Sequence, residues 1–226
     1  MTKLPMFHAV IFDMDGLLLD TERIGYDAWM QAAVEWGIEL PNELYFQVIG
    51  RNLHDTEQIF KSHFGESFPF HDVRQLRLKY AEAHIAQHGL PTRPGAVELL
   101  SMLNDFDVPK AVATSTAHQE AWRRLHIAEL SHHFDILCGG DEVRHGKPAP
   151  DLFLLAAERL SVRPQDCVVL EDSEYGVQAA RQAGMTPLLV PDIKPPSDHG
   201  KALSHAIFVS LHEVKSAMLR VLAPLA

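Results

Sequence analysis

HAVIFDMDGLLLDTE, residues 8–22, sets two opposed demands side by side. Ala9 to Phe12 is a short apolar run of the kind that forms a strand buried on both faces. It ends in Asp13 and Asp15, one residue apart, and Gly16 then lets the chain turn away. Asp20 adds a third negative charge before the next lysine or arginine, Arg23. Carboxylates held together repel one another, so such a cluster calls for a cation to share. A two-residue offset also puts both side chains on one side of an extended strand. A buried strand running into clustered acids marks a site at the end of a sheet.

Outward from this stretch the texture of the chain changes twice. From Thr21 to about Gly89 every periodic segment reads as helix: TERIGYDAWMQAAVEWG, LHDTEQIFKSHFG and HDVRQLRLKYAEAHIAQHG, punctuated at Pro41, Gly50, Gly65, Pro69 and Gly89. Asp20 and Thr21 are placed to cap the first of these helices. Trp29, Trp36 and Phe60, at helical spacing, read as the core of the block. After LPTRPG, strand patterns alternate with helical ones. The strands are VPKAVATS, FDILCG, CVVLED, TPLLV and AIFVS. The helices are GAVELLSMLNDF, AHQEAWRRLHIAEL, APDLFLLAAERLS, SEYGVQAARQAG and LHEVKSAMLRVL. Apolar strands alternating with helices predict an α/β domain with a parallel sheet covered on both faces. The first strand belongs to that sheet, so the helical block is an insertion. The expected division is an α/β core of residues 1–17 and 92–226 with an all-α cap of residues 18–91.

With 226 residues, 46% of them hydrophobic, the chain has enough apolar surface for such a core. Its net charge of −10 argues against a nucleic-acid-binding surface, and it repels anionic ligands. A site for phosphate must therefore carry its own local positive charge. Cys138 and Cys167 each fall in a strand-like run, and read as reduced core thiols rather than a disulfide or CxxC metal site. The N-terminal residues lack the pattern of a signal peptide, and no apolar run is long enough to span a bilayer. The expectation is a soluble cytoplasmic protein, a monomer or weak homodimer, with no nucleic-acid or membrane partner. His84 and His88, four apart on one helix, and the adjacent His132 and His133 lack the acidic third ligand of a zinc helix motif, and read as helix surface.

Ligands of open parallel sheets bind beyond the carboxyl ends of the strands, near the reversal of strand order. Three predicted strand ends are polar: Asp13-Met14-Asp15, Thr114-Ser115-Thr116 and Glu171-Asp172-Ser173. In FDMDGLLLDTE, VATST, HGKPAPD and VVLEDSEYG, in that order and spacing, the chain resembles the haloacid dehalogenase superfamily of phosphotransferases over nearly its whole length. That resemblance implies a Rossmann-like parallel sheet with a small α-helical cap inserted after the first strand, the branch of the β-phosphoglucomutases and of many sugar- and nucleotide-phosphate phosphatases.

The resemblance also implies roles. Asp13 is the nucleophile that carries the phosphoryl group as an aspartyl phosphate. Asp15 is the acid/base partner, and Gly16 turns the chain beside the substrate. Thr114 and Ser115 bind the phosphoryl oxygens, although Thr114 also suits a strand-to-helix cap. Lys147 offsets the charge on Asp13 and on the phosphoryl group. Asp13, the backbone carbonyl of Asp15, Asp172 and Glu171 form a Mg²⁺ site, Glu171 directly or through water. A P-loop reading of GDEVRHGKP fails, because five residues separate its glycines and Pro148 follows the lysine.

By the same resemblance the cap closes over the site and selects a small phosphorylated metabolite, with Arg51 a candidate for substrate contact. FDMDGLLLDTE is also the form associated with pseudouridine-5′-phosphate phosphatases. Three functions follow: a Mg²⁺-dependent phosphatase, a sugar-phosphate mutase, or a binding protein that keeps the fold without turnover. The complete set of acids disfavours the last, and Asp15 disfavours dehalogenation. In β-phosphoglucomutases a histidine early in the first cap helix restrains the acid/base residue until substrate binds. The corresponding position here is Gly25, which implies release of inorganic phosphate. His54 is the nearest substitute.

Overall fold

The computed structural model describes residues 3–49, 51 and 53–223, and the chain divides into two compact units. Met1–Leu19 with Pro91–Ala226 forms an α/β unit, and Asp20–Leu90 forms a helical unit.

Six parallel strands make the sheet of the α/β unit: β1 (Ala9–Phe12), β2 (Lys110–Ala113), β3 (Leu137–Cys138), β4 (Cys167–Glu171), β5 (Thr186–Leu189) and β6 (Ala206–Ile207). Their order is β3-β2-β1-β4-β5-β6, the doubly wound arrangement, so strand order reverses between β1 and β4. In register, Phe12 lies opposite both Val112 and Leu170. The Asp13 amide donates to the Leu170 carbonyl at 2.9 Å, which ties the first acidic residue to the end of β4. The central strands are buried throughout, as continuous apolar runs covered on two faces require. FDILCG and AIFVS yield only two paired residues each, because β3 and β6 are the edges of the sheet.

Five helices pack on this sheet or beside it, from α5 (Ala96–Asp105) and α6 (His118–Ile127) to α7 (Asp151–Leu160), α8 (Glu174–Gln182) and α10 (Leu211–Leu222); the short α9 (Asp198–Leu203), absent from the sequence expectation, precedes β6. Ala9, Ile11, Ala113, Val169, Phe153 and Ala180 belong to one buried cluster between the sheet and α7 and α8. Cys138 and Cys167 lie in it as free thiols, each pushed up to about 11 chiefly by burial. Where the chain leaves and rejoins this unit, Leu19 bridges Thr92, and the Arg93 amide donates to the Leu18 carbonyl at 2.8 Å. The Arg93 guanidinium meets Asp192 at 2.7 Å, so both crossings are fixed side by side at the start and finish of the insertion.

Four helices form the second unit: α1 (Thr21–Glu35), α2 (Asn42–Val48), α3 (Leu53–Phe64) and α4 (Phe70–His88). The sequence pattern did not show α2, and Gly50, one of the expected breaks, lies outside the described residues. Trp29 on α1 stacks on Phe60 of α3 at 4.8 Å between ring centroids, and Phe68 and Phe70 close the cluster at 5.6 and 5.5 Å from Phe60. Trp36 does not join them. It is 44% exposed, because α1 ends at Glu35 and the chain turns at Gly37 before another helical turn can carry the ring inward.

Asp20 is also a correction. It stands at the N-cap of α1 but makes no capping hydrogen bond, and its carboxylate instead pairs with Arg23 at 2.6 Å. Thr21 Oγ1 is buried without a hydrogen-bond partner among the described residues. Neither residue caps the helix, so neither accounts for the acids upstream.

Phe60 is 1% exposed and touches four other rings, so truncation leaves a cavity that its neighbours cannot collapse to fill. Phe60→Ala is expected to cost about 3–5 kcal/mol of stability. Urea unfolding followed by tryptophan fluorescence measures it; a loss below about 1 kcal/mol, typical of surface changes, would show that the cluster repacks.

Candidate active site

Three strand ends deliver the site. β1 ends at Phe12 and presents Asp13 directly; β2 ends at Ala113 and presents Thr114; β4 ends in Glu171, followed by Asp172. Because β1 lies between β2 and β4, these residues emerge next to one another.

Lys147, in the loop before α7, reaches into this point. Its Nζ donates to Asp13 Oδ1 and to Glu171 Oε1, both at 2.5 Å, and to the Ala113 carbonyl at 3.2 Å. The Phe153 ring lies 4.9 Å from the ammonium. The Lys147 side chain is only 6% exposed. Burial works against its charge, but Asp13 and Glu171 outweigh that and hold it above its ordinary value, so it stays cationic.

Glu171 is fully buried and tightly constrained. Its second oxygen, Oε2, accepts from the Ser173 amide at 3.0 Å and the Ser173 hydroxyl at 2.9 Å. The same Ser173 Oγ accepts from the Gly176 amide and caps α8. A Cβ at Gly176 would stand 1.8 Å from Glu171 Oε1, so α8 approaches the carboxylate as closely as it does only because residue 176 has no side chain. Glu171 therefore aims Lys147, a role the sequence reading did not give it.

Asp13, Glu171 and Asp172 each offer a carboxylate oxygen, and these oxygens lie within 4.8 Å of one another; among the described residues no other group of three such side chains does so. The expected Mg²⁺ donors are thus gathered, as hard oxygen ligands suited to that ion. Burial pushes the Asp13 carboxyl well above its ordinary range, with Glu171 and Asp15 adding to the effect and Lys147 opposing it. One lysine does not balance the negative charge collected here, which is the condition that a divalent cation relieves.

Asp15 points elsewhere. Its Oδ2 accepts from Thr116 Oγ1 at 2.7 Å and, more distantly, from Thr114 Oγ1 at 3.4 Å, while Oδ1 accepts from Arg124 on α6 at 2.8 Å. Gly16 turns the chain with φ of +82°, and its amide donates to the Leu19 carbonyl at 2.9 Å. Thr114 is buried, and its hydroxyl also accepts from the Thr116 amide at 3.1 Å; this bond lies in the loop, and the expected cap is not formed, because α6 has Ala117 at its N-cap and no side-chain capping bond. Ser115 is exposed, and a Cβ at Gly140 would meet its carbonyl at 2.4 Å.

Arg51 lies in the helical unit and is considered there. It lines a cavity of about 250 Å³ together with Arg74, Arg77, Glu22 and Tyr45. Its Nε donates to the Gln47 carbonyl at 2.7 Å. A Cβ at Gly25 would come within 2.8 Å of Arg77 Nη2, so the glycine makes room for a guanidinium. His54, the proposed substitute for a histidine at that position, is exposed on α3.

Residues 10–190 match the family model described as haloacid dehalogenase-like hydrolase. The chain is 34% identical over 203 residues to a phosphorylated carbohydrates phosphatase of Thermotoga maritima, covering 90% of this chain and 93% of that one. It is 33% identical over 194 residues to a fructose-1-phosphate phosphatase of Escherichia coli, covering 79% and 94%. A family hydrolase of Deinococcus radiodurans, solved with bound phosphate and sodium, superposes with a TM-score of 0.80 at 28% identity over 97% of this chain and 99% of that one. The chain belongs to the haloacid dehalogenase-like hydrolases and is an enzyme of that family. No helix among its described residues is long and apolar enough to cross a membrane.

The raised Asp13 carboxyl has a consequence for stability. A group whose folded pKa is raised costs stability as the pH climbs from its unfolded value through its folded one. In metal-free buffer Asp13→Asn is therefore expected to melt above the wild type at pH 7, by about 2–4 °C for each kcal/mol relieved. The gap should close toward acid pH, where the wild-type side chain is also neutral. Mg²⁺ should raise the wild-type Tm more than that of the variant. A gap independent of pH in calorimetric scans would assign the effect to something other than the charge.

Proposed function

We propose that this enzyme is a Mg²⁺-dependent phosphatase that hydrolyses a small phosphorylated carbohydrate or related monoester through an aspartyl phosphate on Asp13. The observation that carries this reading is Asp13 itself: a buried carboxylate at the switch in strand order, gathered with Glu171 and Asp172 and steadied by Lys147.

Asp13 attacks phosphorus in line, the bond from phosphorus to the ester oxygen breaks, and Asp15 gives that oxygen a proton as it leaves. Asp15 then takes a proton from water, whose oxygen attacks the aspartyl phosphate and releases inorganic phosphate with Asp13 restored. Lys147 stabilises the charge on Asp13 and on the transferring group. Thr114 and the Ser115 backbone bind phosphoryl oxygens. Asp13, Asp172, Glu171 and the Asp15 carbonyl would hold Mg²⁺, which would screen the nucleophile and polarise the phosphoryl group.

Phosphatase is favoured over mutase by Gly25. The position at which a mutase carries a restraining histidine is here the space filled by the Arg77 guanidinium. Arg51, Arg74 and Arg77 supply the positive charge that a chain of net charge −10 needs to recognise an anionic metabolite.

The test is a panel of glycerol 3-phosphate, fructose 1-phosphate, pseudouridine 5′-phosphate, p-nitrophenyl phosphate and β-glucose 1-phosphate with a trace of its bisphosphate. Phosphate release from several of the monoesters, abolished by EDTA, restored by Mg²⁺ and absent in Asp13→Asn, is expected. Turnover in metal-free buffer or by the Asn variant would refute the mechanism; glucose 6-phosphate appearing faster than phosphate would make the enzyme a mutase.

Recognition by the helical unit predicts a separate pattern. Loss of one charge-assisted hydrogen bond is worth about 1.5–3 kcal/mol, so Arg77→Gln should raise KM by roughly 10- to 150-fold, with a much smaller change in kcat. An unchanged KM for every monoester in the panel would remove Arg77 from the substrate site.

A further inference from the structure

Asp15 has its own cation. Lys147 serves Asp13 and Glu171, whereas Asp15 Oδ1 takes Arg124 Nη1 at 2.8 Å. This arginine comes from α6, far along the chain, and its side chain is 20% exposed against 22% for Asp15, so the pair is largely withdrawn from water. Arg124 is itself aimed. Glu120, one turn earlier on α6, accepts from Arg124 Nε at 2.8 Å, and Arg123 closes the far side of Glu120 with bonds of 2.7 and 2.8 Å. The other Asp15 oxygen is fixed by Thr116 at 2.7 Å. The carboxylate is thus gripped through both oxygens by residues of the segment that follows β2.

A guanidinium stays protonated and has no acceptor, so Arg124 can neither give nor take the proton of the reaction. What it can do is hold. An aspartate in the turn beyond a strand end has several rotamers open to it, and general acid catalysis needs the donor within hydrogen-bond reach of the leaving oxygen. One N–H of a guanidinium that Glu120 holds in place, on one oxygen, and a hydroxyl on the other select one orientation.

We propose that Arg124 is a positioning residue for the reaction: acting only through Asp15, it fixes the carboxylate that protonates the leaving group. The inference rests on the acid/base reading of Asp15 given above. Its contribution therefore scales with how much the departing oxygen needs a proton. An alkoxide leaving from a sugar or glycerol phosphate needs one, and a nitrophenolate does not. The ratio kcat/KM reports formation of the phospho-enzyme, the step in which the leaving group departs.

The experiment measures kcat/KM for p-nitrophenyl phosphate and for the best alkyl monoester of the panel, in wild type, Arg124→Ala, Arg124→Lys, Glu120→Gln and Asp15→Asn. General acid catalysis contributes about 10²–10⁴-fold, and loss of orientation forfeits part of it, so Arg124→Ala is expected to lose roughly 10- to 100-fold on the alkyl ester. On the nitrophenyl ester it should lose less than about threefold. Arg124→Lys restores part of the alkyl activity, Glu120→Gln gives a weaker version of the same selectivity, and Arg124→Ala adds nothing to Asp15→Asn. Equal losses on both esters, or no loss on either, overturn the role of Arg124. If Asp15→Asn itself shows no dependence on the leaving group, it is the acid/base reading that fails, and the proposal falls with it. Should Arg124→Ala not fold, the Lys and Gln variants carry the same comparison.

Discussion

The shared ammonium of Lys147 is the contact on which the rest of the site depends. It joins the ends of two neighbouring strands, since Asp13 follows β1 and Glu171 closes β4, and it does so from a loop that belongs to neither. Without it two carboxylates would face each other inside the fold at a cost of several kcal/mol per ion. With it the repulsion becomes a triad whose members fix one another. The arrangement extends one layer further, because Glu171 is held by Ser173, and Ser173 is the cap of α8. Gly176 admits that carboxylate to the helix backbone. The start of one helix is thus built around a carboxylate whose purpose is to place a lysine.

Much of this was legible because the strand ends announce themselves. Apolar runs that stop at acids or hydroxyls are the mark of a sheet whose mouth is a site, and VIFD, VATS and VVLE each do so. The parallel sheet followed from alternation with helices, whereas the order of its strands did not. What the residues alone could not give is partnership across long separations. Arg124 and Asp15 are 109 positions apart. In the sequence Arg124 is part of an ordinary Glu120–Arg124 pair at helical spacing, which looks like solvated helix surface. The only available hint was the hydroxyl of Thr116, in a motif already quoted, one turn before Glu120.

The helical unit was harder to read for a different reason. Its packing rests on aromatic rings, and rings at helical spacing look alike whether a helix continues or stops. Trp29 and Trp36 are seven residues apart, but α1 ends between them, and one is buried while the other is not. Gly25 is the reverse case, a residue with nothing to show in a sequence. Its meaning lies in the guanidinium of Arg77, supplied from α4, which packs against α1.

The distribution of charge is the last constraint that the fold answers. A chain of net charge −10 repels anions, and the carboxyl of Asp13 lies in a buried place that disfavours its charge. The response is local rather than global. Lys147 sits on Asp13, Arg124 on Asp15, and three arginines line one cavity of the helical unit. Two aspartates one residue apart, each paired with a cation of a different kind, can then do different work. The lysine is a compact point charge, whereas the arginine is a planar guanidinium that stays protonated. In the proposed mechanism the separation of nucleophile from acid/base thus begins with which cation each carboxylate is given.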